Sequence, residues 1–172
     1  RETRYAPYDV FAEFPKPLVP RPLRMEVSER LRADGSVLKA LDVKQAGDVV
    51  RALKNADVKS IAICLLNSFE NPAHELAVKQ IITKEFPEVS ISTSYEVLPQ
   101  IREYERTSTT VANAYVKPLT ESYLRKLSKR LSSLGFTGRL FSMHSSGGAT
   151  SVETAAEFPV RISESGPPAA VI

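Results

Sequence analysis

The run Ile61-Ala62-Ile63-Cys64-Leu65-Leu66 constrains this chain more than any other stretch. Consecutive apolar residues suit a strand covered on both faces, because a strand with one wet face alternates. Helical periodicity brackets the run. Upstream, Ala46, Val49, Val50 and Leu53 recur at helical spacing behind Asp42, with Gln45 three residues on as its capping-box partner. Downstream, Asn71-Pro72 reads as an N-cap with proline at the first helical position, and Val78, Ile81, Ile82 and Phe86 mark one helix face. Val89-Ser90-Ile91-Ser92 is a second short strand. Helix, strand, helix, strand in that order implies a parallel α/β unit.

The flanks are of different character. Residues 1–22 hold Pro7, Pro15, Pro17, Pro20 and Pro22 among aromatics, which excludes helix and predicts an extended arm. Residues 23–31 alternate apolar and polar, as a half-buried strand does. Asp34-Gly35 predicts a hairpin with residues 37–41 returning. After Pro99, Ile101, Tyr104, Val111, Ala112 and Tyr115 keep a helical period through four consecutive hydroxyl residues, Thr107 to Thr110. Such residues compete for backbone bonds, so packing must hold that helix. Pro118 is expected to restart the pattern, with Leu119, Tyr123, Leu127, Leu131 and Leu134 as an apolar stripe and Gly135 as the C-terminal stop.

Two Ser/Gly loops follow. Ser145-Ser146-Gly147-Gly148 comes after the strand-like run 139–143 and before helix-like residues 150–158, with Thr150 and Glu153 as a capping box. Ser165-Gly166-Pro167-Pro168 comes after a second strand-like run, with Ser165 as a candidate N-cap. Ligands of open α/β sheets bind outside the carboxyl ends of strands, against helix N-termini. Gly147-Gly148 permits positive φ, so successive N–H groups could point at an anion; the alternative is a plain turn. His144 beside Ser145 and Ser146 suggests nucleophile chemistry, but sequence neighbours seldom face each other and no G-x-S-x-G elbow is present. Arg106 either pairs with carboxylates on a solvated helix or faces a lobe interface or ligand cleft.

Other classes are disfavoured. The net charge is +3, and the basic cluster Arg125, Lys126, Lys129, Arg130 fits a solvated helix face better than a nucleic-acid footprint. No apolar run approaches a membrane span. Cys64 alone permits neither a disulfide nor a cysteine metal site, and its apolar setting predicts a buried, inert thiol. A His-based metal site is not expected from His74 and His144, and a cytoplasmic location is the default. Arg1 at the start and an apolar run at Ile172 suggest a piece of a longer polypeptide.

The segments RPLRMEVSER (21–30), LLNSFENPAH (65–74), EVLPQIREYERTSTTVANAY (96–115), SSGG (145–148) and PVRISESGPPAAVI (159–172) resemble, in this order, the large subunit of the hydantoinase A/5-oxoprolinase family. The resemblance implies an α/β fragment of an actin/hexokinase-like (ribonuclease H-like) ATPase-type fold, a mixed sheet with flanking helices. Residues 1–98 would close the family's N-terminal region, and residues 99–172 would open its hydantoinase A domain. It implies an ATP-dependent hydrolase opening cyclic amides such as 5-oxoproline or N-methylhydantoin, with ATP activating the amide oxygen. The alternatives are a subunit of an ATP-dependent acetone- or acetophenone-type carboxylase and a non-catalytic structural fragment. ATP and Mg2+ are the implied cofactors, with both Asp-x-Gly-Gly-Thr phosphate loops outside these residues. A hydantoinase B-type subunit or domain is the implied partner, and neither nucleic acid nor membrane is expected. Ser145, Ser146, Gly147, Gly148, Ser165, Gly166 and Arg106 are the cleft candidates; no catalytic residue is assigned. Many relatives carry Asn where this chain has Ser146, and Ala and Gly where it has Pro168 and Ala170.

Overall fold

The computed structural model describes Phe11 and residues 16–166. Most of the predicted N-terminal arm, and the segment after Gly166, lie outside these residues. The unit around the apolar run is as its pattern requires. Strands β3 (Ser60–Ile63) and β4 (Ser90–Thr93) pair in parallel, with Ile61 opposite Ile91 and Ile63 opposite Thr93. Helices α1 (Val43–Asn55) and α2 (Ala73–Glu85) pack together over one face. Ala46, Val50, Leu53, Ile61, Ile63, Val78, Ile82 and Phe86 form the core there. Successive side chains of a strand face opposite ways, so Cys64, in register with Ala62, looks away from this core. It stands beside Thr107 and Thr110 of the long helix α4 (Glu103–Ser133) on the other side.

The N-terminal hairpin forms, but smaller than expected. Only β1 (Arg30–Leu31) and β2 (Val37–Lys39) pair, antiparallel, around Asp34-Gly35. The alternating residues before them are drawn off by a helix cap. Asp42 Oδ1 accepts the Gln45 N–H at 2.9 Å, as a cap should. Gln45 does not reach back to Asp42, however; its Oε1 accepts the Ser28 N–H at 2.7 Å, and the Ser28 carbonyl accepts the Asp42 N–H. Backbone groups of residue 28 that a strand would need are thereby spent on α1.

One mixed sheet was expected; among the described residues there are three separate two-stranded sheets. The hairpin joins the rest through side-chain amides in place of a ladder. Asn67 Nδ2 donates to the Leu31 carbonyl at 3.0 Å, and Asn71 Nδ2 to the Gly35 carbonyl at 2.9 Å. Asn71 Oδ1 also accepts the Ala73 N–H at 3.0 Å, although the N-cap position of α2 is Pro72, one residue later than expected.

Helix α4 corrects two expectations. Pro118 does not restart it; the helix runs through for 31 residues. A proline there removes one donor and crowds the preceding turn, at about 3 kcal/mol in a helix interior. Packing on both strands, α3 (Ser94–Val97) and the C-terminal segment offsets this. The second correction is the facing. Arg106, Thr110, Asn113 and Lys117, at steps of four, three and four, are the buried stripe. The apolar residues Tyr104, Tyr115, Leu119 and Tyr123 point outward, Leu119 being 78% exposed. The inversion has a physical cause. The carbonyls of Leu65, Ile91, Gln100 and Glu157 lie against α4 and need donors away from water, and buried polar backbone left unpaired is costly. The long polar side chains of α4 supply those donors.

Candidate functional site

The carboxyl ends of β3 and β4 are built from polar residues that are almost fully buried. Glu75, in the first turn of α2, is 0% exposed. Its carboxylate accepts the Leu65 N–H at 2.8 Å, the Ser94 hydroxyl at 2.6 Å and the Tyr95 N–H at 3.2 Å. Ser94 and Ser68 share a hydrogen bond at 3.0 Å. Arg106, 2% exposed, donates to the Leu65 carbonyl at 2.6 Å and the Gln100 carbonyl at 3.2 Å, and lies over the Phe69 ring. Its Nε has no partner. Among the described residues, no ion pair or hydrogen bond joins Arg106 to a carboxylate or to either Ser/Gly loop; its fork holds the exit of β3 against the turn before α4. That turn places Arg102 at φ 77°, a conformation a side chain seldom adopts.

Next to this cluster, Glu96 accepts from Lys79 Nζ at 2.8 Å, the Thr93 hydroxyl at 2.5 Å and the Tyr95 hydroxyl at 3.0 Å. Burial alone would raise the Glu96 carboxyl, but these three donors outweigh it and hold it below 4.5. Tyr95 is pushed up to about 12, by burial first and then by the Glu96 carboxylate. On the α4 side, burial, followed by the charge of Glu75, pushes the Cys64 thiol up to about 12.

The first Ser/Gly loop is a hairpin turn. Strands β5 (Phe141–Met143) and β6 (Ala149–Ser151) pair antiparallel, and residues 144–148 connect them. The helix expected over 150–158 is α5 (Val152–Glu157), capped by Ser151, whose Oγ accepts the Thr154 N–H at 3.2 Å; the predicted Thr150–Glu153 box is displaced by one residue. Strand β6 consumes Thr150, which shifts the cap. Gly147 and Gly148 take φ values of 90° and 83°, as the sequence suggested. The anion nest does not form. Ser145 N–H donates to Arg161 O, Ser146 N–H points to His144 Nδ1, and Gly147 N–H closes the turn on His144 O. His144 and Ser146 do meet: Nδ1 and Oγ are 2.7 Å apart. The turn brings them together although they are close in sequence. Since Nδ1 faces the Ser146 N–H as well, it is the accepting nitrogen. Among the described residues, no carboxylate bonds this imidazole to orient it.

The second loop follows a 3-10 turn at Pro159–Ile162, where a strand was expected. Pro159 cannot donate to a ladder, and Val160 N–H is taken by the Asn113 side chain. The two loops are then joined at one residue. Ser145 N–H donates to the Arg161 carbonyl at 2.7 Å, and Ser145 Oγ accepts the Glu164 N–H at 3.0 Å. Ser146, Gly147, Gly148 and Gly166 are exposed, and Ser145 and Ser165 half-buried. The sequence named the members of this pair of loops but not the clasp; Ser145 and Glu164 carry no spacing that marks it.

These residues do not form a complete grip for a triphosphate and its metal. Three turn N–H groups are engaged internally, and among the described residues no three His, Cys, Asp or Glu side chains gather as a metal site. A groove of about 460 Å³ opens elsewhere, between the last turns of α4 and the start of α5. Leu131, Phe136, Phe141, Ser151 and Glu153 line it, at the far end of the β5–β6 hairpin from the turn. No helix among the described residues is long and apolar enough to cross a membrane.

The family model of the hydantoinase/oxoprolinase N-terminal region matches residues 1–86, and that of hydantoinase/oxoprolinase matches residues 106–172. An uncharacterized protein of Methanocaldococcus jannaschii is 41% identical over all of this chain and 25% of its own length. The caprolactamase subunit alpha of Pseudomonas jessenii is 34% identical over 89% of this chain and 22% of its own. The solved nucleotide-free structure of acetone carboxylase superposes with a TM-score of 0.84 at 31% identity, over 92% of this chain and 23% of that one. The chain thus spans about a quarter of the length of these relatives. By its matched segments, and by a fold shared with one member and a sequence shared with others, the chain belongs to the hydantoinase/oxoprolinase family.

Proposed function

We propose that these residues are part of an ATP-dependent enzyme that opens cyclic amides, of the N-methylhydantoin or 5-oxoproline kind. Ser145, Ser146, Gly147, Gly148, Ser165 and Gly166 form one wall of its cleft. The observation that carries this reading is the Ser145 clasp, which sets two Ser/Gly loops side by side with exposed glycines at positive φ. A Cβ at Gly147 or Gly148 would meet nothing within 4 Å, so positive φ and not packing favours glycine there, and the space beside them is open. That space leaves room for a ligand to approach the backbone. His144 and Ser146 stand at the same rim and can orient a polar ligand group. Arg106 serves from behind, holding the β3 exit.

In this reading the phosphate grip and metal ligands lie outside residues 1–172, in a ribonuclease H-like ATPase fold of which this chain holds a part. Residues 1–98 end the N-terminal region and residues 99–172 begin the hydantoinase A domain. A hydantoinase B-type subunit completes the enzyme; the subunit name of one relative supports a partner subunit of some kind. The protein works in the cytoplasm. The test is ATP consumption by the full-length protein with its partner subunit, supplied in turn with 5-oxoproline, N-methylhydantoin and caprolactam. Turnover stimulated by one of these, and lost on Gly147→Ala, is the expected result. Unchanged turnover in Gly147→Ala and Ser146→Ala would remove the loops from the cleft.

A carboxylase reading rests on the close superposition with acetone carboxylase. It predicts ATP consumption driven by acetone plus bicarbonate and indifferent to lactams.

A further inference from the structure

We propose that Asn113, seconded by Lys117, is a positioning residue that fixes the two Ser/Gly loops against the parallel strand pair. This rests on the cleft reading above and adds the element that holds the cleft wall in place. The Asn113 carboxamide is 0% exposed and makes three bonds to three segments. Nδ2 donates to Ser92 Oγ of β4 at 3.0 Å and to the Glu157 carbonyl at the end of α5 at 3.2 Å; Oδ1 accepts the Val160 N–H at 3.2 Å. One turn on, Lys117 Nζ donates to the Ile91 carbonyl at 2.9 Å and to Glu157 Oε1 at 2.5 Å. Two turns of α4 thus grip Glu157 by both its backbone and its carboxylate, and tie it to β4.

From there the path to the loops is short. Val160 precedes Arg161, whose carbonyl receives the Ser145 N–H, and Glu164 donates to Ser145 Oγ. The Arg161 side chain adds a second anchor, donating to the carbonyls of Glu96 and Val97 while stacked on Phe158. Apolar contacts in the same place would bury as much surface but would tolerate sliding. A carboxamide that must offer its oxygen to Val160 and its NH2 to Glu157 and Ser92 permits one register. Asp at this position keeps the shape and the acceptor but faces the Glu157 carbonyl with no donor.

The test compares the full-length protein with its Asn113→Asp and Lys117→Met variants by hydrogen–deuterium exchange. A double-mutant cycle with Ser145→Ala follows, in the lactam-stimulated ATP assay. Exchange in peptides covering residues 141–150 and 158–166 should rise by about tenfold, with α1 and α2 unchanged. In the cycle the double variant should lose little more kcat/KM than the worse single one, because both changes act through one linkage. Unchanged exchange at residues 141–150 in either folded variant overturns the proposal, as does a purely multiplicative cycle between two single variants that each lower kcat/KM. Failure of the cleft reading looks different: Ser145→Ala and Gly147→Ala then leave turnover untouched while the Asn113 variant still loosens both loops.

Discussion

The hydroxyl of Ser145 accepts the backbone N–H of Glu164 at 3.0 Å, across 19 positions of chain. That contact, with the Ser145 N–H bonded to Arg161, makes one residue the hinge between two loops. Ser145→Ala removes the acceptor and leaves the Glu164 N–H to water. The expected cost is about 0.5–1.5 kcal/mol, toward the low end because the site is half-exposed. Amide exchange at Glu164 should accelerate while that at Ile82 does not.

His74 Nδ1 and Glu29 Oε2 lie 2.7 Å apart, with side chains 10% and 5% exposed. The pair ties the segment before β1 to the first turn of α2. Glu29→Ala strands the imidazole in a site with little water. A loss of about 1.5–3 kcal/mol is expected, the range for a hydrogen bond to a charged group. A shift of the urea midpoint at constant slope measures it; His74→Ala should cost a similar amount, and the two losses should not add.

The acid limb of stability should carry the mark of Glu96. Its folded carboxyl is held below 4.5, so the unfolded chain binds the proton more readily. The contribution is therefore present above about pH 4.5 and is lost as the pH falls through the lower folded value. Glu96→Gln should flatten that part of the stability profile and lower stability near neutrality, where the ionised side chain contributes. Equal acid slopes in variant and parent would contradict the assignment.

Cys64 should be chemically silent in the native protein. With its thiol pushed up to about 12, almost none is thiolate at pH 8. Titration with a disulfide reagent should show no fast-reacting thiol from residue 64 until denaturant is added. Thr110→Val, which removes one of the hydroxyls that lower the thiol, should not speed the reaction.

What the sequence disclosed and what it concealed divide along physical lines. The strand–helix–strand unit was legible because Ile61 to Leu66 and the stripes of α1 and α2 are apolar where they are buried. Helix α4 inverts that rule in its facing. Tyr115, Leu119 and Tyr123 look like a core stripe, yet the buried stripe is Arg106, Thr110, Asn113 and Lys117. Their role depends on carbonyls of residues 65, 91, 100 and 157, brought there only by the fold. Their steps of four, three and four put all four on one helix face, but nothing in the sequence marks that face as the buried one. The loops were visible as Ser and Gly, while the closed N–H groups of the 144–148 turn were not. Gly147-Gly148 reads the same in an open nest and in a hairpin.

The continuity of α4 through Pro118 also has a mechanical side. At 1.5 Å per residue, its 31 residues make a rod of roughly 46 Å, and Ser133 lies roughly 30 Å beyond Asn113. The near arm is clamped to the sheet; the far arm carries the exposed Leu119 and Tyr123 and borders the groove near Phe136. A rod clamped at one end is a lever. Load on the far arm would reach Asn113 as torque, so the bonds from Asn113 to Ser92 and to the Glu157 carbonyl resist bending of the rod as well as sliding.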